Sequence, residues 1–246
     1  MLTLRLLLAL PLLSSLAFAH ELENSAVSAH MRDKIQDFTI TSGWESRYFS
    51  EGRDALNGDG IWVNNIETSW KSFTAGVWYG DSPDQPYDEL QIAIAWHHAL
   101  SNDLEFYLSH TYLRLPKDGE HDHDLGVGFA YTGGPWGMEF ALDVVFSARN
   151  EGAFSELSAS REWELSEKLT TNAALVFGMN QGYVADGHDG ANHLAISAGT
   201  AYALTESLSC LAHMTYSWGL DRDSSASEDE FLEDFFHVGM ALEWSF

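Results

Sequence analysis

Residues 119–124 read GEHDHD. His121, Asp122, His123 and Asp124 offer imidazole and carboxylate ligands at close spacing, the donor set of a divalent metal site. A second polar stretch supplies Asp186, His188 and Asp189. Neither stretch contains a Cys ligand or the H-E-x-x-H spacing with which a helix aims two imidazoles at one ion, so a solvated polar loop competes with the metal reading. Further on, DRDSSASEDEFLED is dense in carboxylates and carries Arg222 as its one cation. It lacks the ordered ligand spacing and central Gly of a calcium loop and reads as a solvated segment.

Histidine can also act as a base. His97, His98, His110 and His213 fall in strand-like segments, but a catalytic histidine needs a nucleophile beside it and a third group to orient it. Alternation places no outward Ser next to His98 or His110. The sequence therefore assigns no catalytic residue and implies no cofactor, and His97 and His213 read as polar groups of an interior.

The elements that carry these residues follow from hydrophobic periodicity. From Asp37 onward apolar and polar residues alternate in segments of about ten, the period of strands. Ile92, Ile94 and Trp96 share one face of ELQIAIAWHHAL, and Gln91, Ala93, Ala95 and His97 the other. About twelve such segments are expected, over 37–49, 61–70, 73–81, 89–100, 104–116, 124–132, 136–149, 154–166, 169–183, 192–204, 207–220 and 235–246, each near the length a tilted strand needs to cross a bilayer. Tight turns such as Lys71-Ser72 and Thr205-Glu206 alternate with longer polar loops such as SEGRDALNGDG. That rhythm predicts an all-β, up-and-down antiparallel membrane barrel with short periplasmic turns, longer extracellular loops and both termini in the periplasm. Trp44, Trp70, Trp136, Trp163, Trp218 and Trp244 fall near strand ends, as two interfacial girdles require and a secreted sandwich does not.

The flanking sequence agrees. MLTLRLLLALPLLSSLAFA has a basic residue, a short apolar core and an A-F-A cleavage site, the pattern of a signal peptide over 1–19 exported by the Sec route. Residues 20–36 lack alternation and read as a periplasmic lead-in, leaving 37–246 for the barrel. The lone Cys210 excludes an internal disulfide. The chain carries 12 basic against 37 acidic residues, net −25, and loss of the signal removes Arg5 and no acid. Such a surface excludes nucleic acid as a partner. The acidity serves either solubility in salt or an interior that attracts cations.

In a lipid-embedded barrel the apolar face points outward, so parity sorts the interior. Inward positions expected near the chain's start are Glu45, Arg47, Glu67 and Trp78, followed by His97, Glu105 and Tyr107. The later strands add Glu139, Asp143, Glu156, Glu162, Glu164, His193, His213, His237 and Glu243. Many other inward positions are Gly or Ala, which either leave room for a passage or relieve close packing. The last strand ends on Trp244 and Phe246, a terminal aromatic pattern that suits recognition by the barrel-assembly machinery.

Residues 38–56, FTITSGWESRYFSEGRDAL, resemble the opening strand and loop of the TorF-like family of outer-membrane porins, and 61–81, IWVNNIETSWKSFTAGVWYGD, resemble its second and third strands. The likeness extends over about 37–132, through structural motifs. It implies an outer-membrane barrel with porin activity and no established substrate. The sequence thus leads to a porin of a Gram-negative outer membrane, embedded in lipid and lipopolysaccharide, passing small solutes with a preference for cations and performing no enzymatic reaction. A non-conducting structural or adhesive barrel is the alternative. A barrel enzyme of the outer-membrane phospholipase type, using His98 or His110, is the third reading.

Overall fold

The computed structural model describes residues 37–246. The signal peptide and lead-in expected over 1–36 lie outside the described residues. Twelve strands close into one antiparallel barrel. They are β1 (Asp37–Glu45), β4 (Ile61–Trp70), β5 (Phe73–Asp81), β6 (Asp88–Ala99), β7 (Leu104–Leu115), β8 (Glu120–Tyr131), β9 (Glu139–Ser147), β10 (Gly152–Ser166), β11 (Leu169–Gln181), β12 (Gly190–Ala203), β13 (Leu208–Gly219) and β14 (Phe235–Ser245). A separate two-residue pair, β2 (Phe49–Ser50) and β3 (Arg53–Asp54), forms a small hairpin in the first long loop.

Each barrel strand pairs with its neighbours in sequence, and β1 meets β14 with Thr39 opposite Ser245 and Glu45 opposite Gly239. Closure leaves no row of unpaired backbone groups, the condition for strands surrounded by hydrocarbon. The exterior is apolar: Ile66, Ile92, Ile94, Leu108, Leu125, Leu142, Leu157, Leu175, Ile196 and Met214 are exposed. Aromatics ring both ends, with Trp70, Phe73, Tyr131, Trp136, Tyr202 and Phe246 at the short-turn end and Trp44, Trp62, Tyr79, Trp218 and Phe236 at the long-loop end. In water this surface would drive aggregation; in a bilayer it is the solvated one.

Three boundaries differ from the sequence reading by three residues or more. The first strand stops at Glu45 instead of running to residue 49, because Ser46 to Tyr48 turn the chain toward the barrel axis, where Tyr48 is buried. The sixth segment, expected from residue 124, begins at Glu120 as β8, so GEHDHD is strand rather than loop from its second residue onward. The seventh, expected from residue 136, begins at Glu139 as β9 after a single 3-10 turn, Pro135–Gly137, in which Trp136 has φ 60°.

Candidate functional site: the inner wall and the loop cap

Parity carries the acids inward. Glu67 is buried on β4 and Asp122 and Asp124 on β8, while Glu89 and Gln91 on β6 are sealed from solvent. On β10, Glu156 stands directly opposite Asp143 of β9, and its Oε1 lies 3.7 Å from Nε2 of the buried His193. Glu139 and Glu162 share a recess with Asn172. Glu243 accepts a hydrogen bond from Thr41 Oγ1 at 3.3 Å. His97 Nδ1 is 2.9 Å from Glu105 Oε1, and its ring faces Tyr107 at 5.8 Å. The Tyr107 ring lies over Gly128, where a Cβ would come 2.1 Å from its Cζ. Glu45 Oε2 is 3.0 Å from His213 Nε2, and the His213 ring meets that of His237 at 5.6 Å. Glu164, at the turn end of β10, is exposed.

Arg47 is not on a strand. It lies in the first loop, paired with Asp54 and 3.7 Å from Glu233, with its guanidinium 5.8 Å from the Phe235 ring. The first loop, residues 46–60, folds inward instead of out into solvent. Its hairpin turns at Glu51-Gly52, both with positive φ (41° and 74°), the backbone that a two-residue hairpin loop demands. Gly52 rests on His193: a Cβ there would come 2.4 Å from the imidazole Cγ. Tyr48 stacks on Trp78 at 6.0 Å and donates its hydroxyl to Glu89 Oε2 at 2.9 Å. Tyr87 also donates to that oxygen, and Gln91 Nε2 donates to Oε1, so one buried carboxylate gathers three donors. Leu56, Ile61, Leu113 and Leu115 complete an apolar cluster around Tyr48 and Trp78.

Arg53 is the hub of this cap and is fully buried. It donates to Asn192 Oδ1 on β12 at 2.8 Å, to the Glu51 carbonyl at 3.1 Å, to the Glu228 carbonyl at 3.3 Å and to Asp229 Oδ1 at 2.9 Å. His188, from loop 182–189, also bonds Asp229. Three loops therefore meet on one guanidinium and one carboxylate. Burial lowers the pKa of Arg53, opposed by Asp229 and Glu51. Burial also works against the Asp229 anion, but the Asp223 N–H, the His188 ring and the Arg53 charge together bring its pKa below the ordinary value. Glu228 has no such support: burial, with Asp186 as the next cause, pushes its pKa up to about 7. In loop 182–189, Tyr183 and Val184 pack on Val145 and Phe154 from the opposite wall.

The sequence reading missed this cap. Its partners are remote, Arg53 and Asp229 being 176 residues apart. The available signal was Tyr48, Phe49 and Leu56 within an otherwise polar loop.

The four-residue metal set does not converge, and that expectation is corrected. In strand geometry alternate side chains leave on opposite faces, so His121 and His123 are exposed outside while Asp122 and Asp124 are buried inside. Asp122 instead receives the Ser147 hydroxyl and the Arg149 N–H. His123 Nδ1 lies 3.2 Å from His110 Nε2. His98 stacks on Trp96 at 5.5 Å. In loop 182–189, Asp189 accepts the Gly182 N–H at 2.6 Å.

A closed barrel of twelve antiparallel strands, apolar outside and acidic within, is the porin type of outer-membrane fold. Solved structures with this architecture include the KdgM porin, which aligns with a TM-score of 0.59 at 6% identity over 85% of this chain and 99% of that one. The NanC porin aligns at 0.57 with 7% identity over 84% and 98%. An outer-membrane channel from Pseudomonas putida F1 aligns at 0.51 with 8% identity over 89% and 100%. At such identities the likeness is one of fold. No protein-family profile and no curated sequence matches the chain, so the TorF-like resemblance is not confirmed, and the likeness is to porin-type barrels.

Proposed function

We propose that the protein is a porin-like channel of a Gram-negative outer membrane, non-enzymatic, which passes small solutes and favours cations. The observation that carries this reading is the sorting of charge on the strands. Arg114 is exposed, and Arg161 lies 5.2 Å over the outward Trp163 ring, so both cations of the twelve barrel strands face out, Arg53 belonging to the loop hairpin. Glu45, Glu67, Asp124, Asp143, Glu156 and Glu243 line the inside. A low-dielectric wall of one sign focuses its potential along the axis, raising the local concentration of cations and repelling anions. A solved KdgM porin is in complex with oligogalacturonate, an acidic sugar chain. The acidic wall here argues against a similar polyanion for this chain.

In this reading the termini and short turns face the periplasm, and the capped end faces lipopolysaccharide and the medium. The C-terminal strand serves the barrel-assembly machinery. A second reading, a non-conducting surface barrel, draws on the loop cap tied by Arg53. Planar-bilayer recordings under a KCl gradient distinguish the two. A reversal potential of cation-selective sign is expected. An anion-selective sign would overturn the proposal, and silence from correctly folded protein would favour the non-conducting barrel.

A further inference from the structure

Where β1, β14 and β13 run side by side, Glu45 and His213 are both register partners of Gly239. The missing side chain of Gly239 is the space in which they meet, since a Cβ there would lie 2.2 Å from Glu45 Oε2 and 2.3 Å from His213 Cε1. His237 stands two residues earlier on the same inner face. One ligand atom from each of Glu45, His213 and His237 lies within 4.8 Å of the other two. His237 is 6% exposed, and its Nδ1 has no hydrogen-bond partner. A buried imidazole nitrogen in that condition calls for an explanation. An ordinary His–Glu ion pair accounts for His213 and Glu45 but not for the third member.

We propose that Glu45, His213 and His237 form a binding site for a divalent transition metal of the zinc class on the inner wall. Two imidazoles and one carboxylate are the donors that zinc takes in three-ligand sites; calcium and magnesium prefer oxygen alone. Ligand atoms at about 2.0–2.2 Å from a tetrahedral zinc stand roughly 3.4 Å apart. The Glu45–His213 separation of 3.0 Å is near that spacing, and a His237 ligand atom lies within 4.8 Å of both. The fourth position is left to water from the lumen. Phe49 of the first loop stacks on His237 at 5.5 Å, so the site lies against the base of the cap. The ligands sit on three adjacent strands whether or not the barrel conducts, so the site does not depend on the channel reading.

The test uses zinc alone with the barrel folded in detergent, its fold verified by heat-modifiable mobility. Titration calorimetry is expected to give one zinc per chain. His237→Gln and Glu45→Gln should each weaken binding about tenfold or more. His97→Gln, which breaks a His–Glu pair without a second imidazole nearby, should leave binding unchanged, as should the exterior pair His121→Gln/His123→Gln. X-ray absorption of the zinc-loaded wild type should show two imidazoles and one carboxylate, and it decides the matter if the lumen variants do not fold. Absence of zinc binding by the folded barrel overturns the proposal. So does binding that survives His237→Gln and Glu45→Gln and disappears with the exterior pair.

Discussion

Arg53 of the first loop donates to Asp229 of the last at 2.9 Å, and both side chains are sealed from solvent. Two charges withdrawn from water hold together when further hydrogen bonds support them, and here Asn192 and two backbone carbonyls take three more of the guanidinium's N–H groups. The cap is thus a cooperative unit, and removing one member exposes the others to uncompensated burial.

Arg53→Met retains much of the side chain's bulk and removes its charge. Breaking a buried pair by deleting one partner typically costs about 3–5 kcal/mol. The barrel wall does not depend on this contact, so the loss should appear as undocking of loops 46–60 and 220–234. Single-channel conductance should rise and amides of residues 49–54 should exchange faster. Unchanged conductance together with unchanged exchange would show that Arg53 does not hold the cap.

Gly52 and Gly58 separate two kinds of glycine requirement. Both have positive φ, 74° and 98°, but only Gly52 has a neighbour, His193 Cγ at 2.4 Å from a built Cβ. Gly58→Ala should cost about 1 kcal/mol of backbone strain. Gly52→Ala adds a clash with an imidazole that is stacked on Phe154 at 6.2 Å and fully buried. Hydrogen exchange in the hairpin should accelerate far more in Gly52→Ala, and equal effects in the two variants would remove His193 from the account.

The barrel was legible because lipid imposes a parity on every strand, and residues such as Ile92 and His97 declare their faces individually. The cap was not, because its energy lies in side chains that become partners only after closure brings β12 and the last loop beside the first. GEHDHD misled for a related reason. Alternation of His with Asp looks polar throughout, yet Asp faces a polar interior while His123 sits outside against Tyr112 at 5.1 Å, so the strand runs on without an apolar signal. Glu45, His213 and His237 were each assigned to the interior, but their convergence depends on the register of three strands, which sequence does not supply.

Glu228 should make the cap sensitive to pH. Its pKa in the docked loop is about 7, raised by burial first and then by Asp186, with Arg53 opposing and Glu230 and Asp229 adding to the rise. His188 faces the same cluster through Asp229. A docked state that holds its proton more tightly than the open one is favoured in full below the ordinary value of 4.5, and loses that advantage as pH rises through 7. Asp229, shifted downward, works in the opposite sense at a lower range and is lost only in acid. Conductance should therefore increase between about pH 5.5 and about pH 8. Glu228→Gln keeps the docked side chain neutral and should flatten that increase; an identical increase in the variant would assign the response to another group.

Phe246 offers a test that separates assembly from stability. Phe246 donates its backbone N–H to the Phe38 carbonyl at 2.9 Å, and its ring lies 5.9 Å from that of Phe38 while remaining 71% exposed. Deleting Phe246 removes one hydrogen bond and a mostly unburied ring, a loss of about 1 kcal/mol from a barrel sewn shut along the whole of β1 and β14. The refolded protein should therefore melt in detergent close to wild type. If the terminal aromatic is read during assembly, outer-membrane levels in cells should nonetheless fall severalfold. Phe38→Ala removes the same ring contact and leaves the terminus intact, so it should insert normally. Membrane fractionation of the two variants side by side supplies the comparison, and normal levels of the truncated chain would show that Phe246 carries no assembly signal.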